Sequence, residues 1–234
     1  MGKGWKKAGM LDVAQKKGKL FTKMAKEIYI ASKLGGGDPD GNPRLKMAIR
    51  AALDVSCPKN TIDRAVKKGT GQLDGGETIE EITYEGQAPN NVGIIIECQT
   101  DNKNRTVSEL RGVFKKNGGS LGDKGSSAWM FEHVSLIEGI TDKEVDPEEE
   151  AIEAGANEVE KNEDGKSYSF YGNLEDLDSI RTNLADRSWE VTVAKLSYLP
   201  KTITELSDDQ RVQVEKILEL LDDLDDTSMI YASI

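Results

Sequence analysis

The sequence is poor in the residues from which most catalytic and zinc sites are built. It has one histidine, His133, and two cysteines, Cys57 and Cys98, among 234 residues. Hydrolytic triads need a histidine beside a nucleophile, and structural zinc sites take four cysteine or histidine ligands. One histidine between Glu132 and Val134, with two cysteines that lack ligand spacing, supplies neither set. We therefore expect a protein that is not an enzyme and has no metal site, cofactor or small-molecule substrate.

Long apolar runs are also missing. No stretch approaches the roughly 20 apolar residues of a membrane-spanning helix, and the first residues, MGKGWKKAG, lack the apolar core of a secretion signal. Two cysteines far apart in the sequence suit a reducing compartment. These absences predict a cytoplasmic protein with no membrane partner.

Acidic and glycine-rich runs are present, but their spacing matches no known ion or phosphate site. Residues 148–150 and 222–226 lack the ligand spacing of a calcium loop. The run GGGDPDG lacks the lysine of a phosphate-binding P-loop. We interpret the acidic runs as solvated surface.

Charge is distributed unevenly along the chain. Residues 1–76, which we call the basic head, hold 16 Lys and Arg against 7 Asp and Glu, a net charge of +9. Residues 77–234, the acidic body, hold 15 against 35, a net charge of −20, which agrees with −11 for the whole chain. Such a separation indicates nucleic-acid binding by the basic part. The competing interpretation is a solvated basic surface with no partner.

Hydrophobic periodicity predicts three short amphipathic helices in the basic head. The first runs from Lys19 to Lys33, the second begins at Pro43 after the N-cap residue Asn42, and the third follows Pro58. We expect cations on these helices to contact phosphates without reading sequence. The candidate contacts are Lys19, Lys23, Lys26, Arg44, Lys46, Arg50, Arg64, Lys67 and Lys68.

Residues 99–132 are the most informative stretch of the acidic body. Thr106, three residues before Glu109, matches a capping box and predicts a helix that begins near Thr106. A strand is predicted at residues 128–132, with Trp129 and Phe131 on one face. A polar cluster precedes the helix, where backbone N–H groups attract anions; the alternative is that it only turns the chain and caps the helix. This second candidate phosphate site comprises Asn102, Lys103, Asn104 and Arg105.

The order of predicted elements gives the fold class. Residues 79–85 and 92–98 are strand-like and, with the helix and strand just described, give a β-β-α-β order. The helix and strand that complete this sheet are predicted near the C-terminus, whereas residues 134–200 follow the β-α-β-β-α-β order of a ferredoxin-like domain. We therefore predict an α+β protein: an N-terminal helical bundle and two α/β ferredoxin-like domains, the third inserted into the second. The predicted domains are residues 1–76, residues 77–133 plus 201–234, and residues 134–200.

Several motifs together resemble one known family. They are KLFTKMAKEI, GGGDPDGNPRLKMAI, CPKNTIDRAVKKG, YEGQAPNNVGIIIE and TDNKNRT. With them, the sequence resembles the YebC/PmpR-type family from end to end. The resemblance implies a transcriptional regulator, related to mitochondrial translational activators, with three domains of which two are α/β. One segment departs from it, because Lys-Gly-Trp-Lys-Lys and then Gly9-Met10 stand where family members often carry Ser-Lys-Trp and a His-Arg-Lys cluster.

Three functions are compatible with these patterns. The first is a DNA-binding transcriptional regulator that uses the basic head. The second is a translation factor that contacts RNA on the ribosome, and the third is a protein-interaction module that uses the acidic body. No helix-turn-helix, RNP aromatic motif or zinc finger is legible, so the sequence does not choose between DNA and RNA.

Overall fold

The computed structural model describes residues 13–73 and 78–234. The chain forms two compact units. One unit contains the described part of Gly9–Met130 together with Pro200–Ile234, and the other contains Phe131–Leu199. The predicted fold class is confirmed: the protein is α+β, with N-terminal helices, a first sheet and a second sheet carried by an insertion into the first unit. The boundaries of the three domains stay a prediction.

The helices and strands follow one another in a simple order. Three helices come first, and strands, singly or in consecutive pairs, then follow with single helices between them. Their bounds are α1 Val13–Gly35, α2 Pro43–Asp54, α3 Lys59–Gly69, β1 Glu80–Ala88, β2 Val92–Thr100, α4 Lys103–Lys116, β3 Ser120–Gly122, β4 Phe131–Ile140, α5 Pro147–Ala154, β5 Glu158–Lys161, β6 Ser167–Gly172, α6 Leu177–Asp186, β7 Glu190–Pro200, α7 Asp208–Asp222 and β8 Thr227–Ala232.

The three N-terminal helices pack around one small apolar core. Ile28 of α1, Leu45 of α2 and Ile62 of α3 are buried in it. The Asn42 side chain accepts a hydrogen bond from the backbone N–H of Leu45 (3.1 Å), which confirms the predicted start of α2. Helix α1 begins earlier than predicted, at Val13.

The first sheet has the strand order β3-β1-β2-β8, with antiparallel pairing throughout. Phe114 of α4 is fully buried and packs directly against β1 at Gly86. A Cβ at Gly86 would overlap the Phe114 ring, so this close helix approach requires glycine. Four buried residues of α7, including Ile217 and Leu221, complete the helical layer.

The second sheet has the strand order β5-β6-β4-β7, the order of a ferredoxin-like domain. Its core joins strand residues Ile137 and Phe170 to helix residues Ile180 and Leu184. The Trp189 ring packs edge-on against Phe170, with ring centroids 5.0 Å apart. The order of elements predicted for this insertion is therefore present.

The strand predicted at residues 128–132 was wrong for residues 128–130 and right for residues 131–132. Residues Ala128–Met130 form one turn of 3-10 helix, and β4 begins only at Phe131. The cause is Glu85, whose carboxylate accepts hydrogen bonds from backbone N–H groups at Ser127 and Ala128 (both 2.7 Å) and so bends the chain. Trp129 and Phe131 consequently do not share a face, since Trp129 is 68% exposed and Phe131 only 3%.

Candidate nucleic-acid interface

Three of the predicted cations form what we call the α1 lysine row. Helical spacing of four and three residues places their side chains along one side of α1. Their ammonium groups donate to carbonyl oxygens at and just after the C-terminal end of α7, where unpaired carbonyls carry partial negative charge. The pairs are Lys19 with Asp223 (2.8 Å), Lys23 with Asp222, and Lys26 with Asp225 (2.9 Å).

A buried carboxylate, Asp226, lies at the end of this row. Its side chain is only 2% exposed and accepts hydrogen bonds from Lys26 (2.7 Å), from the Arg105 guanidinium (2.8 Å) and from the Thr106 hydroxyl (2.8 Å). Burial alone would raise the pKa of Asp226, but the hydrogen bonds from Lys26, Arg105 and Thr106 outweigh it and lower the pKa to about 2. Asp226 thus ties the basic head to the N-terminal end of α4.

Arg44 makes a second connection between the head and the first sheet. Its guanidinium donates to Glu27 of α1 (2.8 Å) and to Glu81 of β1 (2.5 Å). Gln99 of β2 donates to the same Glu27 carboxylate (2.6 Å). Arg44 is therefore held by two carboxylates inside this unit.

The polar cluster before α4 has a different arrangement from the one predicted. Helix α4 begins at Lys103, and its N-cap is Asn102, which accepts from the backbone N–H of Arg105 (3.1 Å). The prediction that Thr106 caps the helix was wrong, because the Thr106 side chain is buried one turn inside it and donates to Asp226. Asn102 and Thr106 are both residue types that favour the N-cap position, and the helix uses Asn102.

Within this cluster the remaining side chains differ in how strongly they are held. Lys103 pairs with Glu80 on the surface (2.6 Å), and both side chains are largely exposed. Arg105 pairs with Asp101 (2.8 Å) as well as with Asp226. Asn104 is exposed.

Two further predicted cations lie on α2. Lys46 makes an exposed pair with Asp40 (3.3 Å), a contact of little strength. Arg50 lies exposed one turn further along the helix.

The last three predicted cations form what we call the α3 basic face. Arg64 and Lys67 are exposed and Lys68 is half-buried, on the side of α3 away from the buried Ile62 and Ala65. Spacings of three and four residues bring the three charges together on the helix surface. Within residues 13–73 and 78–234, no carboxylate forms an ion pair with these three side chains. Their charge is directed to solvent.

The histidine and both cysteines of the sequence lie in packed positions. His133 stacks on Tyr198 with ring centroids 4.4 Å apart, and burial lowers the pKa of His133. Both cysteines are buried, and burial is the main cause that raises the pKa of Cys98 to about 12. Among the described residues, no group of three or more His, Cys, Asp or Glu side chains is arranged to hold a metal ion. Nor does any helix in that part of the chain have the length and apolar character needed to cross a membrane.

Sequence reasoning missed the acidic partners of the candidate site, above all Asp226 and Glu27. The run at residues 222–226 was legible as acidic, but Lys26 and Asp226 are 200 positions apart in the chain. Local patterns do not encode such a pairing. Nothing in the sequence therefore distinguished the buried Asp226 from the other acidic residues of this run.

Two family descriptions match the chain. The TACO1/YebC protein N-terminal domain matches residues 4–72, and the TACO1/YebC second and third domain matches residues 79–234.

Several proteins are similar over nearly the full length. A probable transcriptional regulatory protein from Bdellovibrio bacteriovorus is 56% identical, with 100% of each chain covered. One from Pseudomonas fluorescens is 44% identical, with 100% of this chain and 99% of the relative covered. The crystal structure of a conserved hypothetical protein from Aquifex aeolicus superposes with a TM-score of 0.81 at 36% identity, covering 97% of this chain and 93% of the other. The chain therefore belongs to the TACO1/YebC family.

Proposed function

We propose that this protein is a nucleic-acid-binding regulator that acts on transcription by contacting DNA through the α3 basic face. The observation that carries the proposal is that Arg64, Lys67 and Lys68 have no ion-pair partner among the described residues. Phosphates that approach them would displace solvent and counterions rather than protein carboxylates. That is the condition under which cations contribute most to nucleic-acid affinity.

The α1 lysine row fits this proposal poorly as a binding surface, although its charge in the sequence is similar. Lys23 and Lys26 are mostly buried against the acidic end of α7, with side chains 16% and 15% exposed. A phosphate would have to compete there with carbonyl and carboxylate oxygens already in place. We therefore assign the row and Arg44 to holding the head on the body, and the α3 face to binding.

The cluster before α4 supports a smaller second contact. Lys103 is paired with the exposed Glu80, and such surface pairs exchange at little cost. Asn104 adds an exposed amide beside it. Arg105 is committed to Asp226, so we expect it to orient this region rather than to bind phosphate.

The names of relatives support the regulatory part of the proposal. The similar proteins from Bdellovibrio bacteriovorus and Pseudomonas fluorescens are both named probable transcriptional regulatory proteins. Phosphate contacts do not by themselves select DNA over RNA, so the choice of DNA rests on those names.

Crosslinking in cells tests which nucleic acid is bound. The full chain is compared with a variant in which Arg64, Lys67 and Lys68 are replaced by Ala, and with a control that replaces Arg111, Lys115 and Lys116 on α4. We expect DNA to be recovered with the full chain and the control, and to be depleted with the α3 variant. Recovery of ribosomal RNA would transfer the function to translation, and recovery of no nucleic acid would refute the proposal.

A further inference from the structure

An exposed tryptophan on the first unit has no role in the function proposed above. Trp129 is 68% exposed, whereas Trp189 is 3% exposed. An exposed indole offers a large flat apolar surface, and Trp is enriched at interfaces where such a surface meets a partner.

The backbone that carries Trp129 is firmly held. The Glu85 carboxylate accepts hydrogen bonds from the N–H groups of Gly125, Ser127 and Ala128, each at 2.7 Å. Burial alone would raise the pKa of Glu85, but these three backbone donors lower it, so the carboxylate stays charged. A bond from the Ser127 hydroxyl to the Gly86 carbonyl (2.7 Å) fixes the loop on β1. The indole is therefore displayed from a preorganised turn.

The polar atom of the indole is already used. Its Nε1–H donates to the Ser126 carbonyl oxygen (3.1 Å). What Trp129 offers to a partner is therefore its ring surface, with its orientation set by that bond. A flat, rigid aromatic face with no free donor suits stacking better than hydrogen-bond recognition.

Two lysines come from segments bonded to this turn. Lys124 lies in the same loop, and its charge acts on the Glu85 carboxylate. Lys201 is anchored beside the turn, because its backbone N–H donates to the Met130 carbonyl (2.9 Å). Both side chains are exposed, and within the described chain neither forms an ion pair. An aromatic platform near exposed cations that form no ion pair is the combination by which proteins bind single strands, with stacked bases and neutralised phosphates.

We propose that Trp129 is a stacking site for an unpaired nucleobase, with Lys124 and Lys201 contacting the adjoining phosphates. This inference rests on the proposed function and extends it from phosphate contact to recognition of a single-stranded segment. The unpaired base can come from melted DNA or from RNA, and both have the same stacking chemistry.

The test uses the full-length protein with oligonucleotides of one sequence as single-stranded DNA, RNA and duplex DNA. Replacing Trp129 by Ala should weaken single-strand affinity about 5- to 150-fold, the range for loss of one stacked base. Trp129→Phe should keep most of the affinity. Ile152→Ala is the matched control, because Ile152 is also an exposed apolar side chain (75%). Duplex affinity should change little.

Fluorescence supplies a second measurement. In a Trp5→Phe background, the emitting residues are Trp129 and the buried Trp189. A stacked base should quench the exposed tryptophan, and the quenching should disappear in the Trp129→Phe variant while binding persists.

The outcomes separate this inference from the proposed function. Weakening on DNA, on RNA or on both supports the stacking site, and identifies its source. If Trp129→Ala binds all three probes like the unsubstituted protein while the α3 variant loses affinity, the stacking site is refuted and the proposed function stands. If the unsubstituted protein binds no probe, both are refuted.

Discussion

The α1 lysine row and the α3 basic face have similar composition and opposite environments. Lys26 in the row is 15% exposed and bonded to a carboxylate, whereas Arg64 and Lys67 on α3 face solvent. The difference arises because the α1 lysines bond to carbonyl oxygens at the acidic end of α7. Two basic helices in one small bundle can thus serve assembly and binding separately, and the net charge of a segment does not reveal which is which.

Replacing Asp226 tests whether the α1 lysine row holds the basic head in place, and it should have the largest effect on stability. Asp226→Asn leaves the mostly buried Lys26 without its carboxylate partner and removes one of the two carboxylates that pair with Arg105. We expect the free energy of unfolding to fall by about 3 kcal/mol, as for other buried pairs that lose one partner. Urea denaturation measures it. Asp223→Asn is the control, since Asp223 accepts the Lys19 hydrogen bond through its backbone carbonyl, which the substitution keeps. Equal stability of the two variants would contradict the assignment.

The pH dependence of stability tests whether the charge of Asp226 is what stabilises the fold. The pKa of Asp226 is about 2 in the folded chain against an ordinary value of 3.8, so its stabilising effect is present above about pH 4. It should be lost as the pH falls from about 4 to 2, a loss of about 2 kcal/mol at 1.36 kcal/mol per pKa unit. Other carboxylates titrate in that window, so the relevant quantity is the difference between unsubstituted protein and Asp226→Asn. That difference should shrink as the pH falls; a constant difference would mean that the charge of Asp226 is not responsible.

The smallest of the stability effects concerns the start of α4, where Arg105 meets Asp226. Asn102→Ala removes the cap and should cost about 1 kcal/mol. The adjacent Asn104→Ala should change stability by less than about 0.5 kcal/mol, because Asn104 is exposed. Thermal unfolding of both variants provides the measurement. A cost at Asn104 that matched the cost at Asn102 would refute the cap assignment.

The sequence predicted the fold far better than it predicted the state of each candidate contact. Periodic apolar residues such as Ile28, Leu45 and Ile62 mark helix faces locally, and the order of elements identified the inserted ferredoxin-like sheet. The short edge strand β3 was missed because Ser120–Gly122 carries no alternating apolar pattern.

The candidate site depends on contacts that no local pattern contains. Thr106 matched a capping motif, but its side chain is buried and donates a hydrogen bond to the Asp226 carboxylate, 120 positions away. Lys19, Lys23 and Lys26 had the spacing of an exposed basic face, but their acceptors are 204, 199 and 199 positions away, near the C-terminus. Conversely, the turn that exposes Trp129 depends on Glu85, more than 40 positions earlier in the chain. Long-range pairing of this kind follows from the assembled fold alone.

The salt dependence of duplex DNA affinity tests most directly the claim that α3 binds while α1 assembles. Each phosphate contact that is lost should reduce the slope of log K against log salt by about 0.9, so replacing Arg64, Lys67 and Lys68 by Ala should reduce its magnitude by roughly 3. The control variant at Arg111, Lys115 and Lys116 removes the same charge and should leave the slope nearly unchanged. An unchanged slope in the α3 variant, or an equal reduction in the control, would contradict the account.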